Sequence, residues 1–260
     1  MTRTILFSIC VLAPMRLLLA ADNPEAAEKA IVDATAKTQS LEVHSQTIRS
    51  TDPSNQELKM SMESMYAFMR KDGRLFYRSD VNSKNPQTKA DGSAASIGTH
   101  TQIIHDGTFV YSLNEGPQGR SATKSIANVN ISYVVDASYF ERLGKQYSVE
   151  LLADELIDGK PQYVLECTPR KNPPGEVGKL RLYFDKATGV NMKTIGFDSN
   201  SKPIVTTTVR DVKINPAFPD DYFVFKAPAG VEVNDLSGGL EVPSTKPTPP
   251  APENDSPKKP

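Results

Sequence analysis

From residue 58 to residue 68 the chain alternates. Leu58, Met60, Met62, Ser64, Tyr66 and Phe68 fall on one side of an extended backbone; Lys59, Ser61 and Glu63 fall on the other. Successive strand side chains point to opposite faces, so the pattern predicts a half-buried strand. A helical reading through Leu58, Met62, Met65 and Met69 also exists, and the strict polar alternation at the start favours the strand. Similar runs predict strands over residues 75–81, 101–105, 108–113, 121–126, 130–135, 148–157, 162–169, 177–184, 190–197, 204–214 and 222–225. Turn residues separate them, among them Asp106-Gly107, Asp158-Gly159 and Lys186-Ala187-Thr188-Gly189. Asp-Gly is a hairpin signal because glycine accepts positive φ without steric cost. This spacing describes an antiparallel meander, and the lack of strand–helix alternation argues against a parallel nucleotide-binding sheet. Residues 82–99, rich in Gly, Ser, Ala, Asn and Lys, read as a long loop.

Helical periodicity is confined to two places. Over residues 24–38, Asn23 caps, Pro24 suits the first position, and Ala27, Ala30, Ile31, Ala34 and Thr38 share a face. Over residues 138–145, Tyr139, Phe140 and Leu143 recur at helical spacing between Asp136 and Gly144. The fold class expected is α+β, mainly β.

The ends differ from this middle. Arg3 precedes the apolar runs Ile5–Ala13 and Leu17–Ala21, the layout of a cleaved signal peptide over residues 1–21. Pro14 and Arg16 interrupt the run, and a charge at that depth disfavours a membrane anchor. Cys10 lies inside the run and is not placed for lipidation. Residues 243–260 hold seven prolines in eighteen positions, so residues 236–260 read as a disordered tail. The folded domain is expected over residues 22–235, exported to the periplasm.

Charge and chemistry narrow the function. Without residues 1–21 the chain carries 28 basic and 31 acidic residues, a net charge of −3, which gives no footprint for nucleic acid. Cys167 is then the one remaining thiol and reads as a small buried residue. His100 and His105 lie five apart in extended chain, so they face opposite ways and share no metal. Neither a zinc-protease motif nor a nucleophile elbow occurs. Asp106 reads as a turn residue, and Asp154, Glu155 and Asp158 as a solvated hairpin. The expectation is a protein that is not an enzyme and needs no cofactor or metal. Four of the seven methionines, Met60, Met62, Met65 and Met69, share one segment. They suit either a core beneath helices or a surface that repacks around ligands.

Three segments together carry a resemblance. They are Ile103-Ile104-His105-Asp106-Gly107-Thr108-Phe109-Val110-Tyr111, Tyr163-Val164-Leu165-Glu166-Cys167-Thr168-Pro169-Arg170, and the ending Phe223-Val224-Phe225-Lys226-Ala227-Pro228-Ala229-Gly230-Val231-Glu232-Val233. In this order, after an amphipathic helix, they resemble the LolA/LolB family of bacterial outer-membrane lipoprotein carriers. The resemblance implies a strongly curved antiparallel sheet, an incomplete barrel, with helices covering the open side. It implies an apolar cavity for acyl chains and transport of lipoproteins or lipids toward the outer membrane. Its partners would be an acylated lipoprotein or lipid, an inner-membrane releasing complex and an outer-membrane acceptor. Alternation then nominates Met60, Met62, Tyr66, Phe68, Leu75, Tyr77, Phe109, Tyr111, Leu180, Leu182 and Phe184 as lipid-binding residues. Ile31, Tyr139, Phe140 and Leu143 would form the lid. Arg70, Lys71 and Arg74 compete for the role of the family's lid-contacting arginine, and the family's proline is missing there. An envelope-stress sensor or regulatory lipid-binding module on the same fold remains the alternative.

Overall fold

The computed structural model describes residues 23–50, 59–88, 94–126, 135–171 and 177–238. The expected signal peptide, most of the expected proline-rich tail and most of the expected 130–135 strand lie outside these residues.

Two helices and twelve strands follow in the order α1 (Pro24–Ala36), β1 (Ser40–Ser50), β2 (Lys59–Lys71), β3 (Arg74–Thr88), β4 (Ala94–His105), β5 (Val110–Gly116), β6 (Gly119–Ser125), α2 (Ala137–Gln146), β7 (Tyr147–Ile157), β8 (Lys160–Pro169), β9 (Lys179–Asp185), β10 (Asn191–Phe197), β11 (Pro203–Ile214) and β12 (Val233–Asp235). The strands form one sheet ordered β12-β6-β5-β4-β3-β2-β1-β11-β10-β9-β8-β7. All neighbours are antiparallel except β12 and β6. Two meanders, β1–β6 and β7–β11, meet where β1 pairs with β11.

Local chemistry accounts for the joints. Asp72-Gly73 links β2 to β3 with positive φ at both residues, 52° and 71°, as a tight hairpin of the native twist requires. Asp158-Gly159 does the same between β7 and β8, at 49° and 76°. Asn23 caps α1 by accepting from the Ala26 N–H at 2.8 Å, and Asp136 caps α2 by accepting from the Tyr139 N–H at 2.9 Å. Each satisfies a backbone donor that the helix start leaves unpaired.

Several expectations change. β1 was not expected, yet it stands at the centre of the sheet between β2 and β11. Residues 82–99 are mostly not a loop: β3 runs on to Thr88 and β4 starts at Ala94, in continuous register. The Asp106-Gly107 hairpin spans four residues, because His105 pairs with Val110 and Asp106 Oδ1 accepts from the Thr108 and Phe109 N–H groups. Residues 222–225 form no strand. They cross the back of the sheet in turns, with Phe223 buried.

The expected strongly curved, incomplete barrel is realised as an open, mainly antiparallel sheet that is neither closed nor strongly curled, with two helices at one end. Register supplies a reason. The β1–β2, β2–β3 and β3–β4 ladders run for 11, 11 and 12 consecutive pairs without a shift. Bulges, which bend a sheet, occur in the β1–β11, β9–β10, β10–β11 and β7–β8 ladders.

Candidate lipid-binding face

The register divides the side chains between two unlike faces. On one, Leu41 and Val43 of β1 oppose Phe68 and Tyr66 of β2; Phe68 opposes Tyr77 of β3, and Ser79 opposes Ile103 of β4. In the other direction Val43 opposes Val212 of β11. Farther along the same face, Leu182 and Phe184 of β9 oppose Leu165 and Tyr163 of β8. We call this the apolar face. The opposite face carries Glu42, His44, Arg78, Asp80, His100 and Glu115, and we call it the charged face.

Two apolar clusters occupy the apolar face. The first joins Leu165, Cys167, Leu182 and Phe184 to Ala27 and Ile31 of α1 and Phe140 of α2. The second joins Leu41, Val43, Phe68, Tyr77, Val190 and Val209, with no helical residue among those described. Tyr66, Leu75, Ile103, Met192 and Val212 pack against it and stay half-buried.

Met60, Met62, Tyr66, Phe68, Leu75 and Tyr77 therefore share one face, as do Leu180, Leu182 and Phe184. Phe68 and Tyr77 are buried, whereas Met60 and Met62 are half-buried. Burial pushes the Tyr77 hydroxyl up to about 12, although Ser79 hydrogen-bonds it. Phe184 is sealed under the helices, with ring centroids 5.9 Å from Phe140 and 6.4 Å from Tyr139. Ile31 and Phe140 are buried and Tyr139 and Leu143 half-buried, so all four residues expected in a lid sit in or against the first cluster. Fully burying such aliphatic and aromatic side chains stabilises by roughly 1.5–3 kcal/mol each.

Phe109 and Tyr111 leave this set. Tyr111 pairs with Ile104, which puts it on the charged face. There it stacks on Phe225 at 5.1 Å and 8°, and Lys124 Nζ lies 4.0 Å from the Phe109 ring centre. Strand alternation tells that an aromatic residue is covered, and the register back through β4 tells by what. Sequence reasoning missed Leu41 and Val43, whose alternation with Glu42 and His44 was the available signal.

Arg70 is the basic residue that reaches the helix end. Its Nη1 donates to the Thr38 carbonyl, just past α1, at 2.7 Å, and its guanidinium lies 5.2 Å from the Phe68 ring centre. Lys71 and Arg74 are exposed.

The charged face carries a network of ion pairs and hydrogen bonds. Glu42 accepts from Lys213 Nζ at 2.6 Å and from the Tyr222 hydroxyl at 2.9 Å. Burial alone would raise its carboxyl, but hydrogen bonds from Lys213, Tyr222 and His44 outweigh this and hold it below the usual carboxylate range. Asp80 accepts from Arg78 and from Gln102, each at 2.7 Å. His100 Nδ1 lies 2.8 Å from Glu115, while His105, on the apolar face, hydrogen-bonds the Leu75 carbonyl at 2.7 Å. A recess of about 340 Å³ here is lined by polar groups including His44, Glu63, Asp80 and Asp211. Among the described residues no cluster of three or more metal-ligating side chains occurs, and no helix is long and apolar enough to cross a membrane.

No family model matches the chain. It is 26% identical over 132 residues to an uncharacterized protein of Methanocaldococcus jannaschii, a match covering 50% of this chain and 37% of that relative. Among solved structures it is similar to a putative outer membrane lipoprotein-sorting protein domain from Vibrio parahaemolyticus, with 11% identity and a TM-score of 0.34, over 77% of this chain and 97% of that one. It is also similar to MucB in the Pseudomonas aeruginosa MucA/MucB complex, with 15% identity and a TM-score of 0.36, over 78% of this chain and 62% of that one. Likenesses of this size concern the chain path alone.

Proposed function

We propose that the protein is a carrier that holds acyl chains of lipoproteins or lipids on the apolar face of its sheet. The observation that carries this reading is the second cluster. It is an apolar cluster drawn from β1, β2, β3, β11 and the β9–β10 turn, with no helical residue among those described, edged by half-buried Tyr66, Leu75, Ile103, Met192 and Val212. Met60 and Met62 extend the same face, and flexible thioethers repack around chains of varied shape. Each CH₂ buried gives roughly 0.8 kcal/mol, so a chain of about fourteen such groups gains about 11 kcal/mol gross on leaving water. Holding a chain needs no catalytic group, and the ion pairs on the charged face serve structure in this reading. Leu180, Leu182 and Phe184 belong to the end closed by α1 and α2, which would act as a lid retained by Arg70. Compartment and partners follow the resemblance: the periplasm, an acylated cargo, an inner-membrane releasing complex and an outer-membrane acceptor.

Native mass spectrometry of the full chain, purified without detergent, tests the reading. Co-purifying lipid or acylated protein, displaceable by the neutral dye Nile red, is the expected result. A bare protein that also leaves Nile red dark would overturn it.

A further inference from the structure

The β3–β4 hairpin outruns the strands on either side of it. β3 pairs with β4 out to Thr88 and Ala94 without a shift. β2 leaves β3 at the Ser61–Lys84 pair, and β5 leaves β4 at the His100–Glu115 pair. Residues 85–88 and 94–98 therefore reach past the sheet as a two-stranded arm. Two strands alone are marginal in water, and a third stabilises them.

The register shows which backbone groups the arm leaves open. In an antiparallel ladder, opposed residues alternate between exchanging both N–H···O bonds and exchanging none. Asp106 and Phe109 continue the β4–β5 register by one pair, and the Asp106 N–H donates to the Phe109 carbonyl at 3.2 Å. Even-numbered residues of β4 thus aim their backbone groups at β5, and odd-numbered ones aim theirs at β3. Pro86 agrees with this parity. It opposes Ser96, and a residue without an N–H suits the pair that exchanges no bonds. Past His100, Gly98, Ser96 and Ala94 aim N–H and C=O groups outward, where no strand among the described residues pairs with them.

The other edges of the sheet are guarded. β12 lies along β6. β7 has a bulge between Leu152 and Glu155 and carries the acids Glu150, Asp154 and Glu155. The free edge of β3 begins at Lys84 and carries Pro86. Charge, proline and bulges keep further strands from adding. The edge from Ala94 to Gly98 has none of the three. It also has space on both sides. A recess of about 550 Å³ on the charged face is lined by Asn82, Lys84, Gly98 and His100 among others. One of about 620 Å³ on the apolar face is lined by Ile97, Thr101, Asn114 and Ser121 among others. Thr99, Gly116 and Gly119 line both. There the β5–β6 turn stops beside β4, so close that a Cβ on Gly116 would lie 3.3 Å from Thr99 Cγ2.

We propose that the Ala94–Gly98 edge is a docking site for an extended, uncharged peptide segment of another protein, which adds to β4 as a further strand. Only a strand backbone presents donors and acceptors at the spacing of Ser96 and Gly98, and its alternate side chains would enter the two recesses. The ions at the closed end ask for no charge on the peptide. Glu115 already accepts from Arg120 at 2.7 Å and lies 2.8 Å from His100. A second copy of this chain fits poorly. Pairing two such edges along their full length drives the β5–β6 turn of each copy into the chain entering β4 of the other. The inference does not depend on the acyl reading.

Amide hydrogen exchange of the full chain, read residue by residue by NMR, tests it. The probe is a capped octapeptide of alternating threonine and valine. N-methylation at every second residue leaves it one bonding edge and prevents its aggregation. In the free chain, Ala95 and Ile97 should exchange slowly, being bonded to β3, and Ser96 and Gly98 fast. Saturating peptide should slow Ser96 and Gly98 by about tenfold or more, the effect of one hydrogen bond each. The same peptide methylated at every residue should not bind. Ser96→Pro removes an outward N–H that the fold does not use, and should weaken binding roughly tenfold. The exchange pattern of the parent decides the matter if that variant fails to fold. No binding, or binding that leaves Ser96 and Gly98 fast, overturns the proposal. Slow exchange at both residues without peptide also overturns it. If independent of protein concentration, it means that this chain covers its own edge; if it grows with concentration, a second copy does.

Discussion

Tyr222 donates its phenolic hydroxyl to Glu42 Oε2 at 2.9 Å, tying the segment after β11 to the strand at the centre of the sheet. Arg78 lies 5.2 Å from the Tyr222 ring centre and donates to its carbonyl at 3.2 Å. Phe223 next to it is 4% exposed, packed near Phe76 and Phe218. The segment is a strap across the charged face that reaches β12 and closes the edge of β6.

Two substitutions measure the strap. Tyr222→Phe keeps the ring beneath Arg78 and removes one hydrogen bond to a carboxylate, so it should cost about 2 kcal/mol in urea unfolding. Phe223→Ala empties a buried aromatic site and should cost about 3 kcal/mol or more. A Tyr222→Phe protein as stable as the parent would mean that the aromatic packing alone holds the strap.

Glu42 also fixes how stability responds to acid. Its folded carboxyl is held below the usual range by Lys213, Tyr222 and His44 against the opposing effect of burial. Glu166 is held low in the same way, burial being outweighed by Arg181 and Lys179. A depressed folded pKa gives stability that is complete above the unfolded value, about 4.3 for Glu, and that is lost as pH falls through the lower folded value. Urea midpoints should therefore hold from neutrality to about pH 5 and decline below about pH 4. Glu42→Gln should be less stable at neutral pH and decline less steeply. An acid decline as steep in Glu42→Gln as in the parent would remove Glu42 from the cause.

What the sequence made legible follows from range. The β7–β8 hairpin is a short-range object, fixed by alternation and by Asp158-Gly159, and Asp72-Gly73 carries the same local signal for β2–β3 although it was not read as a turn. The caps Asn23 and Asp136 are equally local. β1 was lost because its interior position depends on pairing with β11, 160 residues away at the Thr47–Thr207 pair. The face taken by Phe109 and Tyr111 depends on a register carried through three strands, and on Phe225 covering Tyr111.

Cys167 offers a probe of the closed end. It is fully buried in the first cluster, and burial, with lesser effects from Glu28 and Glu166, pushes its thiol up to about 12. The thiolate is the reactive form. Cys167 should ignore iodoacetamide at pH 8 in the folded protein and react promptly in urea. Rapid labelling without denaturant would show that α1 and α2 lift from β8 and β9 on that timescale.

Helix and sheet approach closely at a residue without a side chain. Gly189 lies in the β9–β10 turn at φ +71°, and a Cβ there would come within 2.5 Å of the Ile31 carbonyl oxygen in α1 and would also strike Thr35 Oγ1. The backbone oxygen cannot rotate away, and Thr35 is itself engaged with Ile31 O at 2.9 Å. Gly189→Ala must therefore accept left-handed strain and push α1 outward together. Left-handed backbone costs about 1–2 kcal/mol and overpacking about 1–3 kcal/mol, so the variant should lose about 3 kcal/mol. Gly159→Ala supplies the control: its φ is +76° with open space around the added methyl, so it should lose only the strain. If the two variants unfold at the same urea concentration, the α1 contact contributes nothing. If Gly189→Ala alone also speeds Cys167 labelling, the helix has been displaced from the first cluster.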